Sequence, residues 1–93
     1  AAEGEYLPIV KVAPIYPNRA LTRGIEGNCI VEYTVTRNGT TKGAKVVECT
    51  SSLFANASVK AAAKFKYKPR VINGQPIDVP GVMHKITFEL ENQ

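Results

Sequence analysis

Cys29-Ile-Val-Glu-Tyr-Thr-Val-Thr36, read together with Ala44-Lys-Val-Val-Glu-Cys49, is the stretch on which the fold turns. The first segment is rich in β-branched residues, and Cys29, Val31, Tyr33 and Val35 share one face at period two, which is a strand with a buried side. Asn38-Gly39 between the segments tolerates positive φ, so the pair reads as a β-hairpin. Gly43 invites a bulge and leaves the loop length open. With a three-residue loop Cys29 faces Cys49 directly. With the two-residue Asn-Gly loop it faces Glu48, and Ala44 and Val46 join the core face instead. A Cys29–Cys49 bridge would enclose about twenty residues, stabilise by on the order of 3 kcal/mol and imply an oxidising compartment.

Toward the C-terminus, Ser51-Ser52 offers N-cap hydroxyls before Leu53 to Phe65. The Ala-rich interior of that segment and the recurrence of Phe54, Ala57, Ala61 and Phe65 at helical spacing predict a helix that covers the hairpin, stopped by Pro69. Asn73-Gly74-Gln75-Pro76 marks a turn. Val82, His84, Ile86, Phe88 and Leu90 then alternate with Met83, Lys85, Thr87, Glu89 and Glu91, which predicts a long, half-buried strand over 82–91. Following a helix and a long connection, this strand is expected outside the hairpin with its other side unpaired. Such an edge accepts an added strand, held by main-chain hydrogen bonds and sorted by alternate side chains. Lys85, Glu89 and Glu91 are charges of the kind that discourage indiscriminate pairing there.

Toward the N-terminus, residues 6–17 contain three prolines, which remove donors and hold their neighbours extended, so an arm is expected. Pro17 followed by Asn-Arg-Ala-Leu-Thr-Arg and Gly24 predicts one short helix. The expected class is α+β. A small antiparallel three-stranded sheet, hairpin plus C-terminal long strand, packs against one main helix, with a short N-terminal helix and an extended arm. The arm covers 1–15 and the domain 16–93.

Composition narrows function by exclusion. Ninety-three residues with 44% hydrophobic content suit one core, and the 22% charged content argues against disordered, collagen-like and coiled-coil classes. Twelve Lys and Arg against eight Asp and Glu give +4, which favours an acidic partner or an anionic surface. No apolar stretch approaches the roughly 20 residues that span a bilayer, and the N-terminus lacks a signal-peptide pattern. Any anchor or export signal is therefore expected outside this sequence. The two cysteines lack metal-ligand spacing, and no cofactor motif is present. His84 is the single histidine, inside the last strand, with no nucleophile or orienting acid assignable to it. An enzyme is not expected. Lys64-Phe65-Lys66-Tyr67-Lys68 superficially resembles a nucleic-acid surface, but the period-two spacing puts Phe65 and Tyr67 into a core and the lysines into solvent. No nucleic-acid partner is expected.

Tyr16-Pro17-Asn18-Arg19-Ala20 with Ile25-Glu26-Gly27 resembles the C-terminal domain of the TonB energy-transducer family, whose members share Tyr-Pro-x-x-Ala followed by Glu-Gly. The likeness continues through the Asn38-Gly39 turn, Ser51-Ser52, Ala61, Phe65-x-Tyr67-x-Pro69, Asn73-Gly74-x-Pro76 and Ile86-Thr87-Phe88, spanning about 16–91. The resemblance implies a periplasmic domain of an inner-membrane-anchored protein, driven by the ExbB–ExbD complex through an N-terminal region not present in this sequence. It also implies a partner: the TonB box of outer-membrane transporters, added as a strand beside Val82, Met83, His84, Lys85, Ile86, Thr87, Phe88, Glu89 and Leu90. Import of siderophore-iron, haem or cobalamin would follow. Val12, Ala13, Pro14, Ile15, Tyr16 and Pro17 are expected to assist from the arm. The best-known members carry a glutamine near the box where this sequence has Ala13, so no glutamine-dependent contact is carried over. A reading from a different class is a periplasmic structural or cell-wall-associated module that uses the basic surface.

Overall fold

In the computed structural model, which describes residues 6–91, the alternation over 27–35 becomes the central strand of the sheet. The helix α1 (Asn18–Arg23) precedes β1 (Gly27–Val35), and β2 (Thr41–Cys49) follows. A 3₁₀ turn (Ser52–Phe54) leads into α2 (Ala55–Ala62), then come β3 (Arg70–Ile72), β4 (Gln75–Ile77) and β5 (Val79–Phe88). The main sheet is antiparallel in the order β2-β1-β5, and β3 and β4 form a separate two-stranded hairpin. The α+β class and the three-stranded sheet under one main helix are as the patterns predict. No helix among the described residues is long and apolar enough to cross a membrane. The first five residues of the expected arm lie outside the described residues.

Every second residue of β1, namely Cys29, Val31, Tyr33 and Val35, is buried. Onto this face pack Phe54, Ala61 and Ala62 from the helical segment, Phe65 and Tyr67 from the chain after it, and Ile86 and Phe88 from β5. Phe54 stacks on Phe88 with ring centroids 4.2 Å apart, and Tyr16 meets both rings edge-on at 5.9 and 5.6 Å. Offset stacks and T-shaped contacts are the arrangements that ring quadrupoles favour. The Tyr16 hydroxyl donates to the Ile25 carbonyl, so the start of the domain is fastened into the same cluster.

The hairpin reaches its register by a route that loop length alone does not give. Thr36 N–H donates to Thr40 O, which leaves Arg37-Asn38-Gly39 as the loop. That loop lies one residue before the three-residue loop over 38–40 that would align the cysteines unaided, and alone it would set Cys29 against Val47. Two bulges, at Gly43-Ala44 and at Val47, each insert a residue into β2 and bring Cys29 opposite Cys49. The two form a disulfide. Gly39 is required at the tip. Its φ is 84°, and a Cβ there would lie 2.3 Å from the Tyr67 carbonyl oxygen. That close approach lets Tyr67 N–H donate to Gly39 O and dock the chain after α2 onto the hairpin.

With a sequence separation of 20, the bridge restricts the unfolded chain considerably. Reduction under native conditions, or Cys29→Ala with Cys49→Ala, is expected to cost about 3 kcal/mol, read as a lower urea midpoint. An unchanged midpoint would mean that the bridge does not constrain the unfolded ensemble.

Three boundaries depart from the sequence patterns. The helix ends at Ala62 rather than Phe65, and Pro69 does not stop it. Lys64 and Phe65 N–H bond to Ala61 and Ala62 O in a tightened last turn, after which Phe65 to Pro69 runs extended. Phe65 and Tyr67 are buried there and the three lysines exposed. Residues 70–77 form a hairpin on a two-residue Asn73-Gly74 turn, both at positive φ, where only a turn was expected. The last strand begins at Val79 and ends at Phe88 instead of spanning 82–91. Pro80 is compatible with an edge strand, and Gly81 at φ 69° accommodates a register shift opposite β1. Beyond Phe88, Leu90 N–H donates to a Glu26 carboxylate oxygen at 2.8 Å, so Glu89 and Leu90 leave the ladder.

Candidate functional site

The direction of the free main-chain groups on β5 follows from β1. Asn28 O accepts from Thr50 N–H and Thr36 N–H donates to Thr40 O, so at both ends of β1 the even-numbered residues aim their main chain at β2. The odd-numbered residues therefore aim at β5, because successive residues alternate. Cys29 pairs with Ile86, Val31 with His84 and Tyr33 with Val82. Val82, His84 and Ile86 thus spend their N–H and C=O on β1, and Met83, Lys85 and Thr87 present theirs to the open side. Among the described residues no strand pairs with β5 on that side.

Beside the open edge lies the arm. Ile9 and Val10 N–H donate to Lys66 O, and Lys66 N–H returns to Val10 O, which holds the arm against the extended chain after α2. Tyr6 reinforces the contact, with its hydroxyl donating to Lys68 O and its ring 4.8 Å from that of Tyr67. The guanidinium of Arg70 sits 5.0 Å from the Tyr6 ring centroid. From this clamp the chain passes β5 without bonding to it, leaving a groove of about 310 Å³ between Lys11–Pro14 and His84–Thr87, with Phe65 also lining it. Four consecutive residues of each wall line the groove, with apolar residues among them and a lysine on each side.

Of the edge residues, His84, Lys85, Ile86 and Thr87 line this groove, whereas Val82, Met83 and Phe88 do not. From the arm, Val12, Ala13 and Pro14 line it. Ile15 instead opens toward α2, Tyr16 packs into the aromatic cluster, and Pro17 starts α1. Lys11 and Phe65 belong to the groove without having been expected there. Phe65 carries a usable signal, since its alternation with Tyr67 marks an extended segment. Lys11 carries none.

His84 is half buried, with its ring 5.1 Å from that of Phe65 and edge-on to it. Burial lowers its pKa below 6.5, and the nearby Lys11 lowers it further. A histidine depressed in the folded state binds fewer protons there than in the unfolded chain, so stability is full above the unfolded value and declines as pH falls through it. The urea midpoint is therefore expected to drop as pH is lowered from about 7 through about 6, and His84→Asn should flatten that slope. An unchanged slope in the variant would assign the pH response elsewhere.

No group of three or more His, Cys, Asp or Glu suited to a metal ion occurs among the described residues. The family described as Gram-negative bacterial TonB protein C-terminal matches residues 12–90, nearly the whole of the chain. The chain belongs to the TonB C-terminal domain family. It is 34% identical over 74 residues to Protein TonB of Pseudomonas aeruginosa, covering 78% of this chain and 22% of that protein's length. Its fold is similar to the solution structure of the Pseudomonas aeruginosa TonB C-terminal domain, with a TM-score of 0.74 and 31% identity over 94% of this chain and 88% of the other. The TonB2 protein of Vibrio anguillarum is also similar, with a TM-score of 0.68, 29% identity and coverage of 99% and 88%. The TonB family is non-enzymatic, in keeping with a site made of main-chain groups and an apolar groove.

Proposed function

We propose that this TonB domain works in the periplasm and binds the TonB box of outer-membrane transporters as a strand added to β5. The observation that carries the reading is the open edge itself: Met83, Lys85 and Thr87 point N–H and C=O groups away from β1 beside a groove walled by the arm. A strand laid there would take up alternating main-chain bonds from β5, and its inward side chains would meet the groove lining. Bonds of this geometry run across the direction of pull and share the load, which suits transmission of force. In the full-length protein an N-terminal region would connect the domain to the inner membrane and the ExbB–ExbD complex. The work delivered would open transporters for siderophore-iron, haem or cobalamin. The disulfide suits an oxidising compartment.

Titration of a labelled box peptide into the domain, followed by amide shifts, tests the reading. Shifts are expected over 83–87 and 11–14. Shifts confined to the helices or to β2, or no binding at millimolar peptide, would overturn it.

A further inference from the structure

The arm has a second side. Opposite the β5 groove, Val12 to Ile15 form one wall of a trough whose other wall is α2, where Ala57, Lys60, Ala61 and Lys64 face the arm. The trough continues past Ile15 to Leu53 and Asn56, with a volume of about 320 Å³ in that stretch. Ile15 on its rim is 83% exposed. Ala57, Lys60 or Ala61, and Lys64 recur three and four apart on α2 and the turn after it, so the two ammonium groups stand along one side of an apolar floor. No acidic residue lines this trough or the β5 groove. Among the described residues, neither Lys60 nor Lys64 forms an ion pair.

The two depressions share the arm as their common wall, and Val12, Ala13 and Pro14 line both. A chain leaving the β5 groove would pass over these three residues to descend beside Lys60 and Lys64.

We infer that the trough between the arm and α2 takes an acidic extended segment of the same transporter chain, adjoining the added strand, with Lys60 and Lys64 pairing its carboxylates over Ile15 and Ala57. The inference rests on the proposed strand addition at β5 and adds a second contact that selects among transporters by the charge of their flanking sequence. Charge complementarity and continuity with the β5 groove set the occupant. Main-chain bonding at the edge gives little discrimination, whereas a lysine-flanked trough does.

The test uses the domain and three peptides that share one strand-forming core. One carries a neutral Asn/Gln tail, one an Asp/Glu tail on the N-terminal side, and one the same acidic tail on the C-terminal side. One acidic placement is expected to bind roughly threefold to tenfold tighter than the neutral peptide, the gain of two exposed ion pairs. The gain should fade in high salt. Lys60→Glu with Lys64→Glu should abolish it while leaving the neutral peptide's affinity unchanged, and Lys42→Glu with Lys45→Glu on β2 should retain most of it. Equal affinity of all three peptides would overturn the trough as a binding surface. Equal loss in both double variants would also overturn it, leaving only the attraction of net charge. If the neutral peptide itself fails to bind, strand addition at β5 is what fails; an acidic tail peptide that then binds in a Lys60- and Lys64-dependent manner would keep the trough and detach it from that edge.

Discussion

Thr87→Pro is expected to weaken binding of a strand-forming box peptide by roughly tenfold to a hundredfold while leaving the domain folded. Thr87 stands opposite Asn28, whose main chain is engaged with β2, so its N–H points to the open side. Proline removes that donor and puts a ring where the incoming strand would lie, leaving a carbonyl of the peptide without a partner. The ladder to β1 loses nothing, because Ile86 and Phe88 make the bonds on that side. The same strand already contains Pro80, so a second proline in an outward register is structurally compatible. Unfolding should shift by about 1 kcal/mol or less. Ile86→Pro is the contrast. Ile86 is 4% exposed and pairs with Cys29, so the substitution should unfold the domain. The readouts are peptide affinity by fluorescence anisotropy and stability by urea. Parallel loss of both in Thr87→Pro would reverse the assigned direction of its amide.

Phe54→Ala is expected to cost about 3–5 kcal/mol of stability. Its ring is fully buried, stacks on Phe88 and receives the edge of Tyr16. Removing it opens a cavity at the junction of three segments: the 3₁₀ turn before α2, the end of β5 and the start of the domain. In a domain of this size the whole of stability is roughly 5–15 kcal/mol, so the variant should lose a large fraction of it and unfold at a much lower urea midpoint. Phe54→Leu keeps most of the volume and should cost about 1–2 kcal/mol. Urea unfolding monitored by circular dichroism separates them. A loss under about 1 kcal/mol in the alanine variant would mean that the cluster repacks.

What could be read in advance depended on whether one local rule governed a segment. Cys29 to Val35 and Val82 to Phe88 obey period two throughout, and their buried faces are the ones the alternation marks. At Leu53 to Phe65 two rules compete. Helical spacing accounts for Phe54, Ala57 and Ala61, but Phe65 satisfies helical and strand periodicity at once, and the docking of Tyr67 on Gly39 decides for the strand-like path. The start of the last strand at Val79 had no signal, because nothing local to Pro80-Gly81 shows that this side of the strand faces away from a neighbour. The Val47 bulge had no signal at all, since Lys45-Val46-Val47-Glu48 contains neither glycine nor proline. For the site, the edge was legible as a pattern, whereas the groove was not. It depends on Ile9 and Val10 clamping to Lys66, a contact across more than half the chain.

Cys29 occupies a crossing point: it is bonded to Cys49 on β2 and paired with Ile86 on β5. A pull entering along β5 near Thr87 reaches β1 at the residue where the sheet is covalently stapled. The seam between β1 and β2 is closed there to mechanical peeling, so a load on β5 would strain the seam between β1 and β5 before the hairpin. If β5 takes the load as proposed, the hairpin behind it would stay intact in the oxidised domain and ready to receive the strand again.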